Sequence, residues 1–196
     1  MKWYKYDIRQ LSDSEYNKWY SLMSDEKKHR VDRFRFTNDK KRTVVGEMLA
    51  RVAVSKWCNI PVENISFGVG DNGKPFVMDL SIEFNISHSK DMVVCAISDA
   101  PIGIDIEKIR PKNLKISKRF LSSDELLYIF GKLPTEEDFA VSEDVSVLTR
   151  FYECWTKKEA YGKCTGEGLF SQESLSDVAF TTLTEDGYVI TICSIK

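Results

Sequence analysis

The strongest constraint on the fold is an order of elements that occurs twice along the 196-residue chain. An aromatic-rich run predicts a strand at residues 3–8, and helical patterns follow it, the clearest beginning after Asn38-Asp39. Short runs separated by glycine, proline and asparagine then predict strands up to residue 97. After another strand at residues 102–109, the pattern predicts helices near 122–130 and 149–163 and two closing strands. The sequence therefore predicts two related α+β lobes.

Composition argues against several classes of protein. The formal net charge is −2, so no overall basic field favours a nucleic-acid or membrane partner. The five cysteines are odd in number and contain no CxxC pair, which argues against a disulfide framework and a zinc site. The first ten residues lack the apolar core of a signal peptide, and no run is long enough to span a bilayer. We therefore expect a cytoplasmic protein with reduced cysteines.

Two carboxylates occur in the pattern Gly103-Ile104-Asp105-Ile106-Glu107. On a strand the side chains alternate, so Asp105 and Glu107 project to one side while the isoleucines point into the core. Two carboxylates on one strand face suit Mg²⁺, which binds one or two carboxylates together with substrate phosphates. The alternative is a strand with a solvated acidic face, because the pattern Asp-x-Glu is common.

The long predicted helix of the second half carries three side chains on one face. Glu159 and Lys163 are four residues apart, and Trp155 lies one turn before Glu159. An exposed ion pair would explain this spacing and would stabilise the helix by only about 0.2–0.5 kcal/mol. A site that handles phosphate groups would use the same three residue types.

A third pattern, at residues 84–89, ends a strand and begins a turn. One of only two histidines, His88, lies there between Ser87 and Ser89 and is followed by Lys90. Hydroxyls, a ring N–H and turn amides together could bind an anion, although a polar hairpin is equally consistent with the pattern. Further cations occur in the first half, and they could bind a polyphosphate or lie on a solvated face.

Five segments in this order resemble the 4'-phosphopantetheinyl transferases of the surfactin-synthetase-activating type. The segments are GKP (73–75), FNISHS (84–89), PIGIDIEKI (101–109), KRFLSSDE (118–125) and WTKKEAYGKCTGEGL (155–169). The resemblance covers residues 24–170 and is weak at both ends. It implies a monomer with two α+β lobes, residues 1–102 and 103–196, related by pseudo-two-fold symmetry, with coenzyme A bound between them.

The resemblance also implies the roles of individual residues. Asp105, Glu107 and Glu159 would bind Mg²⁺, Glu159 would be the general base, and Lys163 would hold the pyrophosphate and protonate the leaving group. Contacts with the nucleotide and its phosphates are implied for six further residues: Lys27, Arg30, Arg42, Lys74, Ser87 and His88. Whether Glu159 or a metal-bound water takes the proton stays open.

The implied activity is the transfer of the 4'-phosphopantetheine arm of coenzyme A to a serine of an acyl or peptidyl carrier protein. Two other functions could use some of the same residues. A metal-dependent phosphoesterase would need a positioned water, to which no residue in the sequence points. A module that only binds coenzyme A or a carrier would be expected if an acid were missing, but all three are present.

A basic strip directly after the Asp105 strand is a candidate docking surface for the carrier. Residues 110–119 contain five basic residues and no acidic one, and they include Leu114 and Ile116. The resemblance implies a carrier that is acidic around the modified serine, and opposite charge would then speed the encounter. The acidic stretch after Pro134 has no counterpart in the family and is predicted to be a solvated loop.

Overall fold

A computed structural model describes residues 1–70, 73–166 and 178–195 of the chain. The last three residues of the WTKKEAYGKCTGEGL segment, 167–169, lie outside the described residues. The helices and strands are, in chain order, β1 (Lys2–Asp7), α1 (Asp13–Ser21), α2 (Asp25–Asp32), α3 (Thr37–Cys58), β2 (Phe67–Val69), β3 (Pro75–Val77), β4 (Glu83–Ser89), β5 (Met92–Ser98), β6 (Ile102–Lys108), β7 (Lys112–Asn113), α4 (Ser117–Phe120), α5 (Ser123–Phe130), β8 (Val141–Ser142), α6 (Val145–Thr165), β9 (Val178–Glu185) and β10 (Tyr188–Ile195).

The two halves of the chain repeat one sheet arrangement. The first half forms an antiparallel sheet in the order β1-β5-β4, and the second half forms one in the order β6-β10-β9. In each sheet the last strand of that half lies between the first and the middle strand. A long helix packs on each sheet, α3 on the first and α6 on the second. The predicted α+β fold with two similar lobes is confirmed.

The strand alternation predicted for residues 103–107 is also present. Ile104 and Ile106 are buried, together with Ile102, in a cluster with Val94 and Ala96 of β5. The same cluster contains Ile190 and Ile192 of β10. Because β5 belongs to the first half and β10 to the second, this apolar cluster fixes β6 at the junction of the two sheets.

Helix α6 begins earlier than the sequence pattern indicates. Asp144 caps it, and its Oδ1 accepts hydrogen bonds from the backbone N–H groups of Ser146 and Val147 at 2.8 and 3.1 Å. The helix ends at Gly166, whose φ of +80° is the left-handed conformation that glycine adopts without strain. Within the described residues, no helix combines the length and apolar character needed to cross a bilayer.

Helix α3 is buried on more than its apolar face. Glu47 and Arg51, two charged residues of this helix, are each only 5% exposed. The Arg51 guanidinium donates hydrogen bonds to Glu47 and to the backbone carbonyls of Leu22, Val62 and Ile65. These bonds satisfy the buried charges, which is why polar residues are tolerated there.

The acidic segment after Pro134 is mostly exposed to solvent, as predicted, but it is not an irregular loop. The segment forms a 3₁₀ helix at Glu136–Phe139 and then β8, which pairs antiparallel with β7. Phe139 is buried, and the Leu114 N–H donates to the Ala140 carbonyl at 3.2 Å. Leu114, predicted as part of the exposed basic strip, is also fully buried. The Phe139 ring packs edge-on against Phe130 and lies beneath the Lys118 ammonium. Together with the β7–β8 pairing, these contacts hold the acidic segment against the strip.

Candidate active site

Strands β4 and β6 lie beside each other at the junction of the two sheets. Alternate residues of β4 contact alternate residues of β6. The Ser87 hydroxyl donates to Asp105 Oδ1 at 2.8 Å, and the Ser89 hydroxyl donates to Glu107 Oε2 at 2.8 Å. The two carboxylates predicted to share a strand face are therefore each bound by a serine of the other half.

Helix α6 contributes the opposite wall of this site. Its residues Trp155, Glu159 and Lys163 line one cavity of about 370 Å³ together with Asp105 and Glu107. The remaining residues of the wall are Ile86, Ser87 and His88. The predicted common face of the three helix residues thus points at the carboxylates of β6.

The close approach of α6 to β6 requires glycine at position 103. A Cβ atom at that position would lie 2.0 Å from the carbonyl oxygen of Ala160 and 2.6 Å from the backbone nitrogen of Cys164. These backbone atoms belong to residues directly after Glu159 and Lys163. Gly103 therefore allows the helix to bring its two functional side chains up to the strand.

Lys163 forms an ion pair with Asp105 at the junction of the two sheets. Its ammonium nitrogen lies 2.6 Å from Asp105 Oδ1 and also donates to the Ser87 hydroxyl at 3.1 Å and to the Ile104 carbonyl at 3.3 Å. The Asp105 side chain is 8% exposed and the Lys163 side chain 28% exposed. This partly buried pair differs from the exposed Glu159–Lys163 ion pair that was the alternative explanation of the helical spacing.

Glu159 is a half-buried carboxylate close to two others. Burial, and then the negative charges of Asp105 and Glu107, raise its pKa above the ordinary value of 4.5, while the Lys163 cation partly opposes this. A carboxylate with a raised pKa is a better proton acceptor near neutral pH than an ordinary surface glutamate. The same negative charges would favour a cation between these side chains.

The donor set fits a hard cation such as Mg²⁺. Asp105 Oδ2 is buried and has no hydrogen-bond partner among the described residues, so within them this oxygen lacks the compensation that a buried carboxylate requires. Carboxylate oxygens are the protein ligands that Mg²⁺ prefers. Within residues 1–70, 73–166 and 178–195, no three His, Cys, Asp or Glu side chains are already arranged as a metal-binding cluster. The carboxylates share a cavity, but Lys163 occupies one oxygen of Asp105.

A larger cavity, of about 650 Å³, adjoins the first. Arg42, Lys90 and Arg110 line it, and His88 and Glu107 line both cavities. Arg42 donates to the Lys90 carbonyl at 2.7 Å and pairs with Asp39. Partial withdrawal of the His88 ring from water, and then the Arg42 and Lys163 cations, lower the pKa of His88. The lowered pKa favours the neutral form of the imidazole. The cavity wall beside it carries three acids, Asp39, Asp91 and Glu107, as well as the three cations.

Three of the predicted nucleotide contacts do not line either cavity. The Lys27 ammonium lies 2.6 Å from Glu47 Oε2, and the Lys74 ammonium lies 3.0 Å from Glu83 Oε2. Arg30 is exposed on α2. The other seven predicted residues line one cavity or both; they are Arg42, Ser87, His88, Asp105, Glu107, Glu159 and Lys163.

Sequence reasoning placed the Ser89 hydroxyl among possible anion-binding groups and missed its bond to Glu107. The signal was present in the spacing. Ser87 and Ser89 are two residues apart on a strand, as are Asp105 and Glu107, and so each pair shares a strand face. The strand pattern could not reveal that the two faces meet, since β4 and β6 are not joined by a hairpin.

Two family models together match nearly the whole chain. The model described as "4'-phosphopantetheinyl transferase, N-terminal" matches residues 10–100, and that of the 4'-phosphopantetheinyl transferase superfamily matches residues 101–195. The two matches correspond to the two halves that carry the repeated sheet arrangement.

Individual relatives agree with these matches. The chain is 38% identical over 193 residues to the 4'-phosphopantetheinyl transferase psf-1 of Bacillus pumilus, an alignment that covers 95% of this chain and 77% of psf-1. It is 37% identical over 165 residues to the 4'-phosphopantetheinyl transferase Sfp of Bacillus subtilis strain 168, covering 84% of this chain and 69% of Sfp. The chain therefore belongs to the 4'-phosphopantetheinyl transferase family, of the type represented by Sfp.

Proposed function

We propose that this 4'-phosphopantetheinyl transferase uses coenzyme A and Mg²⁺, modifies a serine of an acyl or peptidyl carrier protein, and releases 3',5'-ADP. The observation that carries the proposal is the meeting of Asp105, Glu107, Glu159 and Lys163 in one cavity. Three acids and a lysine supply what the reaction needs, namely oxygens for a hard cation, a proton acceptor and a cation for the pyrophosphate.

Asp105, Glu107 and Glu159 are the residues proposed to hold the metal. The unpaired buried oxygen of Asp105 supports this assignment, since a bound cation would compensate it. When bound, Mg²⁺ would neutralise and orient the pyrophosphate of coenzyme A.

Proton movements in the proposed reaction fall to Glu159 and Lys163. The serine oxygen forms a bond to the β-phosphorus of coenzyme A, and the bond from that phosphorus to the 3',5'-ADP oxygen breaks. Glu159, with its raised pKa, accepts the serine proton. Lys163 holds the pyrophosphate and donates a hydrogen bond or a proton to the leaving phosphate.

The cations of the larger cavity are proposed to bind the rest of coenzyme A. Arg42 and His88 face this cavity, and His88 with Ser87 also reaches the carboxylates. Lys27, Arg30 and Lys74 stay predicted contacts with the nucleotide and its phosphates. An ammonium group has three N–H donors, so Lys27 could keep its bond to Glu47 and also bind a phosphate oxygen.

We further propose that the protein acts as a cytoplasmic monomer. The site takes residues from both halves of one chain and needs no second copy. All five cysteines are free, as is usual in a reducing compartment. The division into lobes at residues 102 and 103 stays a prediction; it falls one residue into β6.

Mass spectrometry of an apo carrier protein, incubated with coenzyme A, Mg²⁺ and this chain, tests the proposed reaction. A mass gain of one phosphopantetheine, with 3',5'-ADP in the solution, is the expected result. Release of phosphate without modification of the carrier would instead support the phosphoesterase. If neither product forms with any of a panel of acyl and peptidyl carriers, the chain only binds its ligands.

The basic strip remains the proposed docking surface for an acidic carrier, with one revision. Five basic residues make up the strip: Arg110, Lys112, Lys115, Lys118 and Arg119. Lys118 pairs with Glu136 of the adjacent acidic segment and lies 4.4 Å from the Phe139 ring centroid. Lys115 is exposed, whereas the neighbouring Leu114 is buried. Charge is therefore the better probe of docking, because changing Leu114 would disturb the core.

Lys115→Glu should raise the carrier KM by roughly 3- to 10-fold at low ionic strength, because it reverses a charge facing an acidic partner. The effect should shrink at high salt, and the KM for coenzyme A should hardly change. Steady-state kinetics with varied carrier at two salt concentrations measures this. Lys56→Glu, at an exposed position on α3, is the matched control. An unaltered carrier KM for Lys115→Glu would place docking elsewhere.

A further inference from the structure

We propose that Ser89 is a positioning residue for the metal site, holding Glu107 so that one of its carboxylate oxygens is presented to the cation. This inference rests on the proposed function, because it assumes that Glu107 is a metal ligand. Ser89 would touch neither the metal nor the reacting atoms. It would act through Glu107 from the other half of the chain.

Two hydrogen bonds determine the direction of the Ser89 hydroxyl. Its oxygen accepts a bond from the Lys108 backbone N–H at 3.2 Å and lies 2.8 Å from Glu107 Oε2. A serine hydroxyl has one donor and two acceptor sites, and an ionised carboxylate can only accept. The backbone N–H therefore leaves the hydroxyl proton to the carboxylate, and the bond holds Oε2 in place.

A similar arrangement occurs two residues earlier on both strands, at Ser87 and Asp105. Ser87 accepts a hydrogen bond from the Lys163 ammonium and donates to Asp105 Oδ1. The other oxygen of Asp105 has no partner in the part of the chain that the structure describes. Two serines of β4 thus each bind one oxygen of a β6 carboxylate. Their spacing matches that of the carboxylates, so the pattern is a property of the strand pair.

The negative charges around Glu107 explain why its carboxylate needs the Ser89 hydrogen bond. Asp105, Glu107 and Glu159 line the same cavity, so their negative charges repel one another. Without a donor on Oε2, Glu107 could rotate away from the other two before a cation binds. Residues that hydrogen-bond to a metal ligand without touching the metal typically raise metal affinity by about 10- to 100-fold.

Ser89→Ala removes the hydroxyl and should weaken metal binding by about 10-fold or more. Binding of Mn²⁺, used as a spectroscopic substitute for Mg²⁺, is measured directly by electron paramagnetic resonance in the presence of coenzyme A. The Mg²⁺ concentration for half-maximal transfer should rise by a similar factor. Ser89→Thr keeps the hydroxyl on a β-branched side chain suited to a strand, and should restore metal binding.

Ser98→Ala is the matched control, because Ser98 on β5 accepts a hydrogen bond from the Ala100 N–H far from the carboxylates. It should leave Mn²⁺ affinity unchanged. Wild-type Mn²⁺ affinity in Ser89→Ala would overturn the inference and leave the proposed function intact. An equal loss of Mn²⁺ affinity in Ser89→Thr would also overturn the inference, and so would an equal loss in Ser98→Ala. A wild-type protein whose transfer needs no divalent cation would overturn the proposed metal site itself, and the inference with it.

Discussion

Glu159→Gln should lower the rate of transfer by at least about 10²-fold and, at neutral pH without Mg²⁺, raise the melting temperature of the protein. Glutamine keeps the size of the side chain but can neither accept the serine proton nor carry a charge. In the ligand-free protein that charge is unfavourable, because Glu159 is half-buried beside Asp105 and Glu107. The Glu159 carboxylate is thus expected to destabilise the ligand-free protein, although the proposed reaction requires it.

The pH dependence of this stability difference has a defined sign. The pKa of Glu159 is raised on folding above its ordinary value of 4.5, so the folded state binds the proton more tightly than the unfolded state does. The ionised group therefore destabilises the fold above the folded pKa, and this effect disappears as the pH falls through that value toward 4.5. The advantage of Glu159→Gln in thermal unfolding should fade over the same interval.

Glu153→Gln is a suitable control for this experiment, since Glu153 lies on the same helix and binds the Tyr128 hydroxyl away from the cavity. It should retain transfer activity. Near-wild-type turnover in Glu159→Gln would remove Glu159 from the role of base. If Glu159→Gln had a lower melting temperature than the wild type at neutral pH, the Glu159 charge would not be unfavourable in the ligand-free protein.

Gly103→Ala should reduce both stability and activity, although position 103 carries no functional group. The new methyl group would lie 2.0 Å from the Ala160 carbonyl oxygen, so α6 would have to move away from β6. Overpacking of this kind costs about 1–3 kcal/mol, and backbone atoms can relieve it less easily than side chains. A displacement of Glu159 and Lys163 by about 1 Å can lower the rate 10²-fold.

Gly46→Ala provides the matched comparison. A Cβ atom at position 46 would lie 3.5 Å from Ile86 Cγ2, an ordinary van der Waals distance, and Gly46 is inside α3. Alanine there should be neutral or stabilise by up to about 1 kcal/mol. Urea unfolding and steady-state rates measure both variants. If Gly103→Ala resembled Gly46→Ala in both measurements, the close helix-strand approach would not be what positions the site.

Local sequence patterns predicted the parts of the fold that depend on neighbours along the chain. The alternation at residues 103–107 placed Ile104 and Ile106 in the core, as the structure shows. Helical spacing likewise put Glu159 and Lys163 on one face, and both line the cavity. Turn residues and periodicity were enough to indicate the doubled order of strands and helices.

Long-range contacts could not be predicted from such patterns. Helical spacing suggested that Lys163 pairs with Glu159, but its ammonium binds Asp105, which is 58 residues away. Charge suggested a solvated acidic loop after Pro134, and most of that segment is exposed, but burial of Phe139 and the β7–β8 pairing attach it to the basic strip. In each case a tertiary contact between distant segments decided the outcome.

Calorimetric titration of coenzyme A into wild-type protein and into Asp105→Asn, each with and without Mg²⁺, tests most directly whether these carboxylates form the metal site. In the wild type, Mg²⁺ should tighten coenzyme A binding by about 10-fold or more, because the cation is shared between carboxylates and pyrophosphate. In Asp105→Asn this gain should be largely lost, while binding without Mg²⁺ should not weaken, since a negative charge near a polyanion has been removed. Equal tightening by Mg²⁺ in both proteins would contradict the account.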